Sequence, residues 1–215
     1  MMSAKAKAWD LFAAFPVICW FGLVAFATLR DVVLAGDLRH APIERGVQIA
    51  NGAFAIILIV LFIARPAPRA RPPGWRAVAA GVIGGLAPMT IVFLPRSAIS
   101  RDVIVASNSI VLVATLASVL TVLWLGRSFS ILPQARALVT GGPYRFVRHP
   151  LYLAEFLALF GLAWQFALPW SLLLWLLAAA AQFPRMYYEE QILAATFPTY
   201  GDYAAKTARL LPGVY

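Results

Sequence analysis

The side chains of this chain that could do chemistry are concentrated in two short polar stretches of its C-terminal half. Residues 126–150 hold three glycines, three prolines, four arginines and His149. The second stretch holds Arg185, Glu189 and Glu190, with two tyrosines between them. An arginine can grip a carboxylate through two parallel hydrogen bonds, a glutamate can pair with an ammonium, and tyrosine rings attract cations. The combination suits a small ligand that carries both signs of charge.

The identity of these groups also limits the reaction. Arg185 cannot act as a base because its guanidinium stays protonated, so we expect it to orient an anionic substrate group. A reacting carboxylate is already ionised at neutral pH and needs no base. A reacting amine must lose a proton, for which Glu189 or Glu190 is a candidate. In a helix that continues past Pro184, Arg185 and Glu189 share a face because they are four residues apart.

The composition places most of the chain in a membrane. Of its 215 residues, 62% are hydrophobic and 13% are charged, whereas a soluble domain has about 25% charged residues. The net charge of +9 could indicate nucleic-acid binding, but the basic residues cluster in short loops between apolar runs, as in membrane proteins. One cysteine and two histidines make a zinc site unexpected. We therefore expect neither a nucleic-acid partner nor a metal.

Apolar runs predict an all-α, polytopic transmembrane bundle of about six spans, since each crossing needs about 20 apolar residues. The runs are Trp9–Leu29, Gln48–Ala64, Ala77–Leu94, Val103–Leu125 and Leu151–Pro184. The last run is too long for one crossing, and Pro169 disfavours a continuous helix, so it is predicted to be a helical hairpin. We divide the chain into N-terminal transmembrane helices, 1–125, and a catalytic half, 126–215.

The basic residues also predict an orientation. Of the 18 lysines and arginines, 13 fall on the side that would hold both termini and residues 127–150. The positive-inside rule assigns that side, and the two polar stretches with it, to the cytoplasm. Lys5 and Lys7 precede an apolar run that resembles the core of a signal peptide. That run is long enough to span a membrane, so we expect a retained first helix.

Three segments carry a family resemblance. GGPYRFVRHPLYLAE (residues 141–155), RMYYEEQIL (185–193) and FPTYGDYAAKTARLLPGVY (197–215) together resemble the C-terminal half of the isoprenylcysteine carboxyl methyltransferase family. Membrane phospholipid N-methyltransferases share the broad pattern. The resemblance covers residues 126–215, and the preceding part is similar only in being transmembrane. It implies a helical bundle with a cytosolic pocket for S-adenosylmethionine and a lateral opening for a lipidic or prenylated substrate.

The resemblance also implies roles for individual residues. Arg185 corresponds to the position that handles the substrate carboxylate, and Glu155, an ionisable group one turn into a predicted span, is a further candidate for substrate binding. Arg136-Ala137 stands where the eukaryotic enzymes have a His-Thr pair, so the substrate itself is not carried over. The residues expected to contact the cofactor are the backbone of Leu138 and Val139, together with Tyr144, His149, Pro150, Leu151, Tyr152 and Glu189.

The sequence therefore predicts an integral membrane methyltransferase that uses S-adenosylmethionine on a hydrophobic acceptor, with carboxyl methylation of an isoprenylcysteine-like molecule as the leading hypothesis and Arg185 and Glu189 as the catalytic residues. One alternative is N-methylation of an aminophospholipid. The other, from a different class, is a small transporter or a non-catalytic scaffold. A transporter would favour inverted repeats and broken helices near the midplane of the membrane, and no such pairing is visible.

Overall fold

Helices dominate the residues that the computed structural model describes, 4–34 and 41–213. Within them the only β-pairing is three isolated bridges between loops. The predicted all-α class is therefore confirmed. The helices are α1 (Ala4–Leu34), α2 (Pro42–Ala64), α3 (Trp75–Leu86), α4 (Arg101–Leu125), α5 (Pro150–Ala163), α6 (Trp170–Thr196) and α7 (Tyr200–Lys206), with 3₁₀ turns at Ala87–Phe93, Gly126–Ser128 and Gly142–Arg145.

Four helical stretches are long and apolar enough to cross a membrane. They match the first four predicted spans and run Lys7–Leu34, Pro42–Ala64, Trp75–Phe93 and Arg101–Ser128. The predicted hairpin is present as α5 and α6, which turn over at residues 164–169. Helix α5 has only 14 residues, fewer than the about 20 that a perpendicular crossing needs, and α6 carries Arg185 and two glutamates in its second half. Six crossings therefore remain a prediction.

Two prolines shape the helices differently. The third span was predicted as one run, but α3 ends at Leu86 and a 3₁₀ turn follows, because Pro88 has no N–H to continue the α-helical ladder. Pro184, in contrast, lies inside α6, which continues to Thr196. Arg185 and Glu189 therefore do occupy one helix, four residues apart, as the sequence required.

Glycines on α3 allow the helix to approach the polar loop after α4 and the middle of α6. A Cβ atom placed on Gly81 would lie 2.7 Å from the Pro133 ring, and one on Gly84 would lie 3.1 Å from the carbonyl oxygen of Ala181. Real Cβ atoms rarely tolerate such distances, so larger residues would push these elements apart. These glycines form a small-residue face for close packing, which positions the loop that contributes to the candidate site.

A buried ion cluster joins three distant segments at one end of the bundle. The Asp10 carboxylate accepts hydrogen bonds from Arg65 at 2.8 and 3.1 Å and from Arg136 at 2.8 Å, and Lys7 donates to the carbonyl of Ile63 at 2.8 Å. Burial, followed by the Arg65 charge, lowers the pKa of Arg136 to about 10, which leaves it protonated at neutral pH. The start of α1, the end of α2 and the loop after α4 thus share one end, as the charge pattern predicted.

Candidate active site

The two polar stretches meet around the carboxylate of Glu190. His149 Nε2 lies 2.9 Å from Glu190 Oε1, and Arg148 Nη1 lies 3.1 Å from Oε2. Arg209 reaches both oxygens, at 3.0 and 2.8 Å. We call these four residues the Glu190 cluster. It fastens the start of α5 and the C-terminal segment to the end of α6, so the chain segments predicted to form one site do come together.

Backbone contacts explain why these segments arrive in register. Pro150 occupies the first turn of α5, where a missing N–H costs nothing. The N–H groups of Arg148 and His149 donate to the carbonyls of Ala208 and Arg209 at 2.8 and 3.1 Å. The C-terminal segment therefore runs alongside the entry to α5 and presents Arg209 to Glu190.

The electrostatics of the Glu190 cluster favour the ionised carboxylate. Burial alone would raise the pKa of Glu190. Hydrogen bonds from His149 and Arg209 and the nearby Arg148 charge outweigh burial and lower that pKa to about 2. A carboxyl whose pKa falls on folding stabilises the fold above its unfolded-state pKa, and this contribution is lost as the pH drops towards the folded-state value.

We therefore expect Glu190→Gln to destabilise the purified protein by about 3 kcal/mol at neutral pH, because it removes the charge that two arginines share. Thermal unfolding in detergent measures this. The difference between wild type and variant should be full above pH 5 and should shrink as the pH falls from about 4.5 towards 2. A difference that does not change across this range would show that Glu190 does not stabilise the fold through its charge.

Tyr152 lies at the centre of a second set of contacts. Its hydroxyl donates a short hydrogen bond to Glu189, and its ring stacks on the His149 imidazole, with ring centroids 5.2 Å apart and planes 5° from parallel. The guanidinium carbon of Arg185 lies 4.4 Å from the centroid of the Tyr152 ring. One aromatic ring therefore connects three of the predicted site residues.

Arg185 is a deeply buried charge whose side chain is 2% exposed. Its nearest carboxylate oxygen belongs to Glu155, at 3.8 Å, and Nη1 donates to Gln182 at 3.3 Å. Its Nε is buried and has no hydrogen-bond partner among the described residues. A buried guanidinium with an unused donor is costly unless it is paired, which makes it a candidate for binding an anion.

The predicted cofactor contacts gather around a small cleft. Its volume is about 30 Å³, room for about two water molecules. The residues that line it include Ser128, Ser130, Gln134, Tyr144, Arg148, His149, Leu151, Tyr152 and Glu189. Five of the predicted cofactor residues are in this set, whereas Leu138, Val139 and Pro150 are not.

The side chains around the small cleft fit the chemistry of the predicted cofactor. The cleft itself is too small to hold it in the described structure. S-Adenosylmethionine carries an ammonium, which Glu189 suits, and a carboxylate, which the buried and unpartnered Nε of Arg148 suits. The ring of Tyr144 suits its sulfonium. A molecule of that size does not fit in 30 Å³, so the cleft would have to widen to admit it.

A second, much larger cavity lies among α1–α6. Its volume is about 720 Å³, and Glu155 and Arg185 line it beside a mainly apolar wall. The two predicted substrate residues therefore line the same cavity, and Arg185 also contacts Tyr152, one of the predicted cofactor residues. Phe129 lines both the large cavity and the small cleft, and its ring packs edge-on against Phe62, with centroids 5.3 Å apart. The two spaces are thus neighbours.

The segment that holds much of this geometry, residues 99–200, matches the model of the phospholipid methyltransferase family. This segment, just under half of the chain, is similar to the members of that family. The family includes isoprenylcysteine carboxyl methyltransferases and phospholipid N-methyltransferases, so the resemblance predicted from the sequence is confirmed. Its methyltransferases generally use S-adenosylmethionine. The match includes α4, which we had assigned to the N-terminal half.

Two curated proteins resemble shorter parts of the chain. The nickel-cobalt-cadmium resistance protein NccN of Alcaligenes xylosoxydans xylosoxydans is 37% identical over 84 residues, which are 37% of this chain and 38% of that protein. The cobalt-zinc-cadmium resistance protein CzcN of Cupriavidus metallidurans is 39% identical over 80 residues, which are 35% of each chain. The matched segment thus spans little more than a third of either relative. The described residues contain no group of three or more His, Cys, Asp or Glu placed to hold a metal ion.

Sequence reasoning missed three residues of this region. Glu190 was considered only as a possible base, but it fastens the site together. Phe129 carried no signal at all. Asp10 was overlooked, although it lies inside the predicted first span, which begins at Trp9. An ionisable residue inside a span indicates a functional or structural role.

Proposed function

We propose that this chain is an integral membrane methyltransferase that transfers a methyl group from S-adenosylmethionine to a carboxylate on a hydrophobic acceptor. The observation that carries the proposal is the position of Arg185. Its guanidinium lines the large cavity and also lies against the Tyr152 ring, which lines the small cleft. An anion held by Arg185 would therefore lie at the boundary between the two spaces.

In this proposal the small cleft holds the cofactor, which supplies an electrophilic methyl group on its sulfonium. Glu189 would pair with the ammonium, Arg148 would bind the carboxylate, and the ring of Tyr144 would face the positive charge. In the described structure Glu189 instead accepts a hydrogen bond from Tyr152. Members of the phospholipid methyltransferase family generally use the same cofactor, which supports the assignment.

The acceptor would occupy the large cavity with its carboxylate on Arg185. No base is needed, because the carboxylate is already ionised, so the protein contributes by alignment and by excluding water. Alignment alone can supply about 7–11 kcal/mol of a barrier. Glu155, 3.8 Å from Arg185, helps to hold the guanidinium in place.

N-methylation of an aminophospholipid is the second candidate, and Glu155 is the observation that favours it. Its carboxylate lines the large cavity beside Arg185. Arg185 could hold the lipid phosphate there while Glu155 or Glu189 takes a proton from the amine. Arg185 could bind the carboxylate of one acceptor or the phosphate of the other. The two products differ in their stability to base, because a methyl ester is hydrolysed and an N-methyl group is not.

A transfer assay with methyl-labelled S-adenosylmethionine tests the proposal. Purified protein is given a small prenylcysteine analogue or phosphatidylethanolamine, with Arg185→Met as the control. We expect label in the prenylcysteine product that mild base releases as volatile methanol, as from a methyl ester. Base-stable label in the phospholipid would favour N-methylation. No transfer to either acceptor, and none to total membrane lipid, would contradict the proposed activity.

The same assay tests the proposed orientation, in which the Glu190 cluster faces the cytoplasm. S-Adenosylmethionine is charged and crosses bilayers poorly, so it reaches a cytoplasmic cleft only in inside-out vesicles. We expect transfer in inside-out vesicles and little in sealed right-side-out vesicles until detergent opens them. The reverse result would invert the topology and leave the chemistry intact.

A further inference from the structure

The wall of the large cavity carries a set of hydrogen-bond donors that the proposed reaction does not use. Gln48 and Asn51 on α2 and Asn108 on α4 all line the cavity, and we call these three residues the carboxamide wall. The side-chain nitrogens of the three have no hydrogen-bond partner among the described residues. Gln48 and Asn51 also lie outside residues 99–200, so they are features of this chain beyond its family-matched segment.

Arginine donors fix the direction of two of these carboxamides, Gln48 directly and Asn108 through Gln165, and the oxygen of each carboxamide has a partner. Gln48 Oε1 accepts from Arg45 at 2.8 Å and Asn51 Oδ1 from Thr115 at 3.1 Å. Asn108 Oδ1 accepts from the Gln165 amide nitrogen at 3.0 Å, and the Gln165 oxygen in turn accepts from Arg96 at 3.3 Å. Arginine only donates, so both arginine-bound amides are oriented unambiguously. Each member of the wall is left with its N–H donors for the cavity.

The carboxamide wall and the apolar lining of the large cavity occupy different turns of α2. On α2 the lining changes from Gln48 and Asn51 to Phe54 and Leu58 towards the Arg65 end. Asn51 and Leu58 are seven residues apart, or about 10 Å along the helix. An occupant that reaches from Arg185 to the wall therefore meets an anion site, an apolar stretch and then a row of donors.

We propose that the carboxamide wall is a second binding subsite, which holds a neutral oxygen-bearing group, a hydroxyl or a carbonyl, at the far end of the acceptor. The inference rests on the proposed function only in taking Arg185 as the site of the reacting carboxylate. A tail made only of hydrocarbon would leave buried donors unpaired, which is unfavourable. Charges of both signs lie near the wall, Asp31 and Glu44 beside Arg45 and Arg96, so they offset one another and the three neutral amides define the group as neutral. The acceptor thus has polar groups at both ends of an apolar chain.

Competition binding with matched fatty acids tests the subsite without turnover. Purified protein in lipid nanodiscs is first incubated with radiolabelled palmitate. Unbranched fatty acids then compete for the site, each compared with the ω-hydroxy fatty acid of the same chain length. Every fatty acid in the series is longer, when extended, than the about 10 Å that separates Asn51 from Leu58 along α2. At one length the ω-hydroxy acid should bind about three- to tenfold more tightly than its partner, the value of one good hydrogen bond.

Variants assign this preference to the wall. Asn51→Leu and Asn108→Leu keep the shape of the side chain and should reduce the preference to less than about twofold, and Gln48→Met offers the same test if either fails to fold. Ser109→Ala is the control, because the Ser109 hydroxyl bonds to its own helix at Val105, and it should keep the preference. The subsite is refuted if no chain length shows a preference, or if all three variants retain it. Palmitate binding that survives Arg185→Met would instead count against the proposed function.

Discussion

Arg185→Met should lower kcat/KM for the carboxylate acceptor at least about 100-fold and change the affinity for S-adenosylmethionine by less than about threefold. Removing one partner of a buried, hydrogen-bonded charge pair costs about 2–5 kcal/mol, and the guanidinium is 2% exposed. The loss falls on the acceptor because Arg185 lines the large cavity and not the small cleft. Steady-state kinetics together with equilibrium binding of the cofactor measure the two effects.

A matched control for this experiment is an arginine outside the large cavity. Arg101 begins α4 and its side chain is exposed. Arg101→Met should retain kcat/KM within about threefold, since exposed charges contribute little. Equal losses in both variants would show a general electrostatic effect. Full activity of Arg185→Met would remove Arg185 from the reaction.

Glu189→Gln should weaken the binding of S-adenosylmethionine about 30-fold or more and should leave the unfolding temperature nearly unchanged. The neutral amide cannot pair with the cofactor's ammonium, and the loss of such a charged contact costs about 2 kcal/mol or more. Glu189 bonds to Tyr152 and takes no part in the Glu190 cluster, so the fold does not depend on its charge. Equilibrium dialysis with labelled cofactor and thermal unfolding provide both readouts.

Two further variants serve as controls for this second experiment. Asp202→Asn, at an exposed position of α7, should leave cofactor binding unchanged. Tyr152→Phe removes the hydrogen bond to Glu189 and keeps the ring. It should bind the cofactor at least as well as the wild type. Normal binding by Glu189→Gln would exclude Glu189 from the cofactor site.

Much of this arrangement could be predicted because it depends on local patterns. The first four spans follow from the length of their apolar runs, and the common face of Arg185 and Glu189 follows from their spacing on one helix. His149 could be placed near Glu189 only through the family resemblance. The structure joins it to Glu190 instead, because neighbouring residues on a helix point about 100° apart and the sequence does not reveal which one faces α5.

Other features depend on contacts between distant parts of the chain, which no local pattern reveals. Asp10 and Arg136 are 126 residues apart and meet only because α1, α2 and the loop after α4 end together. The position of Phe129 beside both cavities likewise requires the packed bundle. Pro88 was visible in the sequence, but a proline ends one helix and is tolerated in another, as Pro184 shows, according to the packing around it.

The family-matched segment depends on the first helix through the ion cluster at Asp10. Arg136 donates to Gln134 at 2.8 Å, and Gln134 lines the small cleft, so the first helix braces the loop that the cofactor would touch. A fragment that starts after Leu125 would keep Arg136 but lose the carboxylate that neutralises it. The opening helix therefore supports a loop that lines the small cleft, and a chain whose N-terminal helices are exchanged would have to keep this acid.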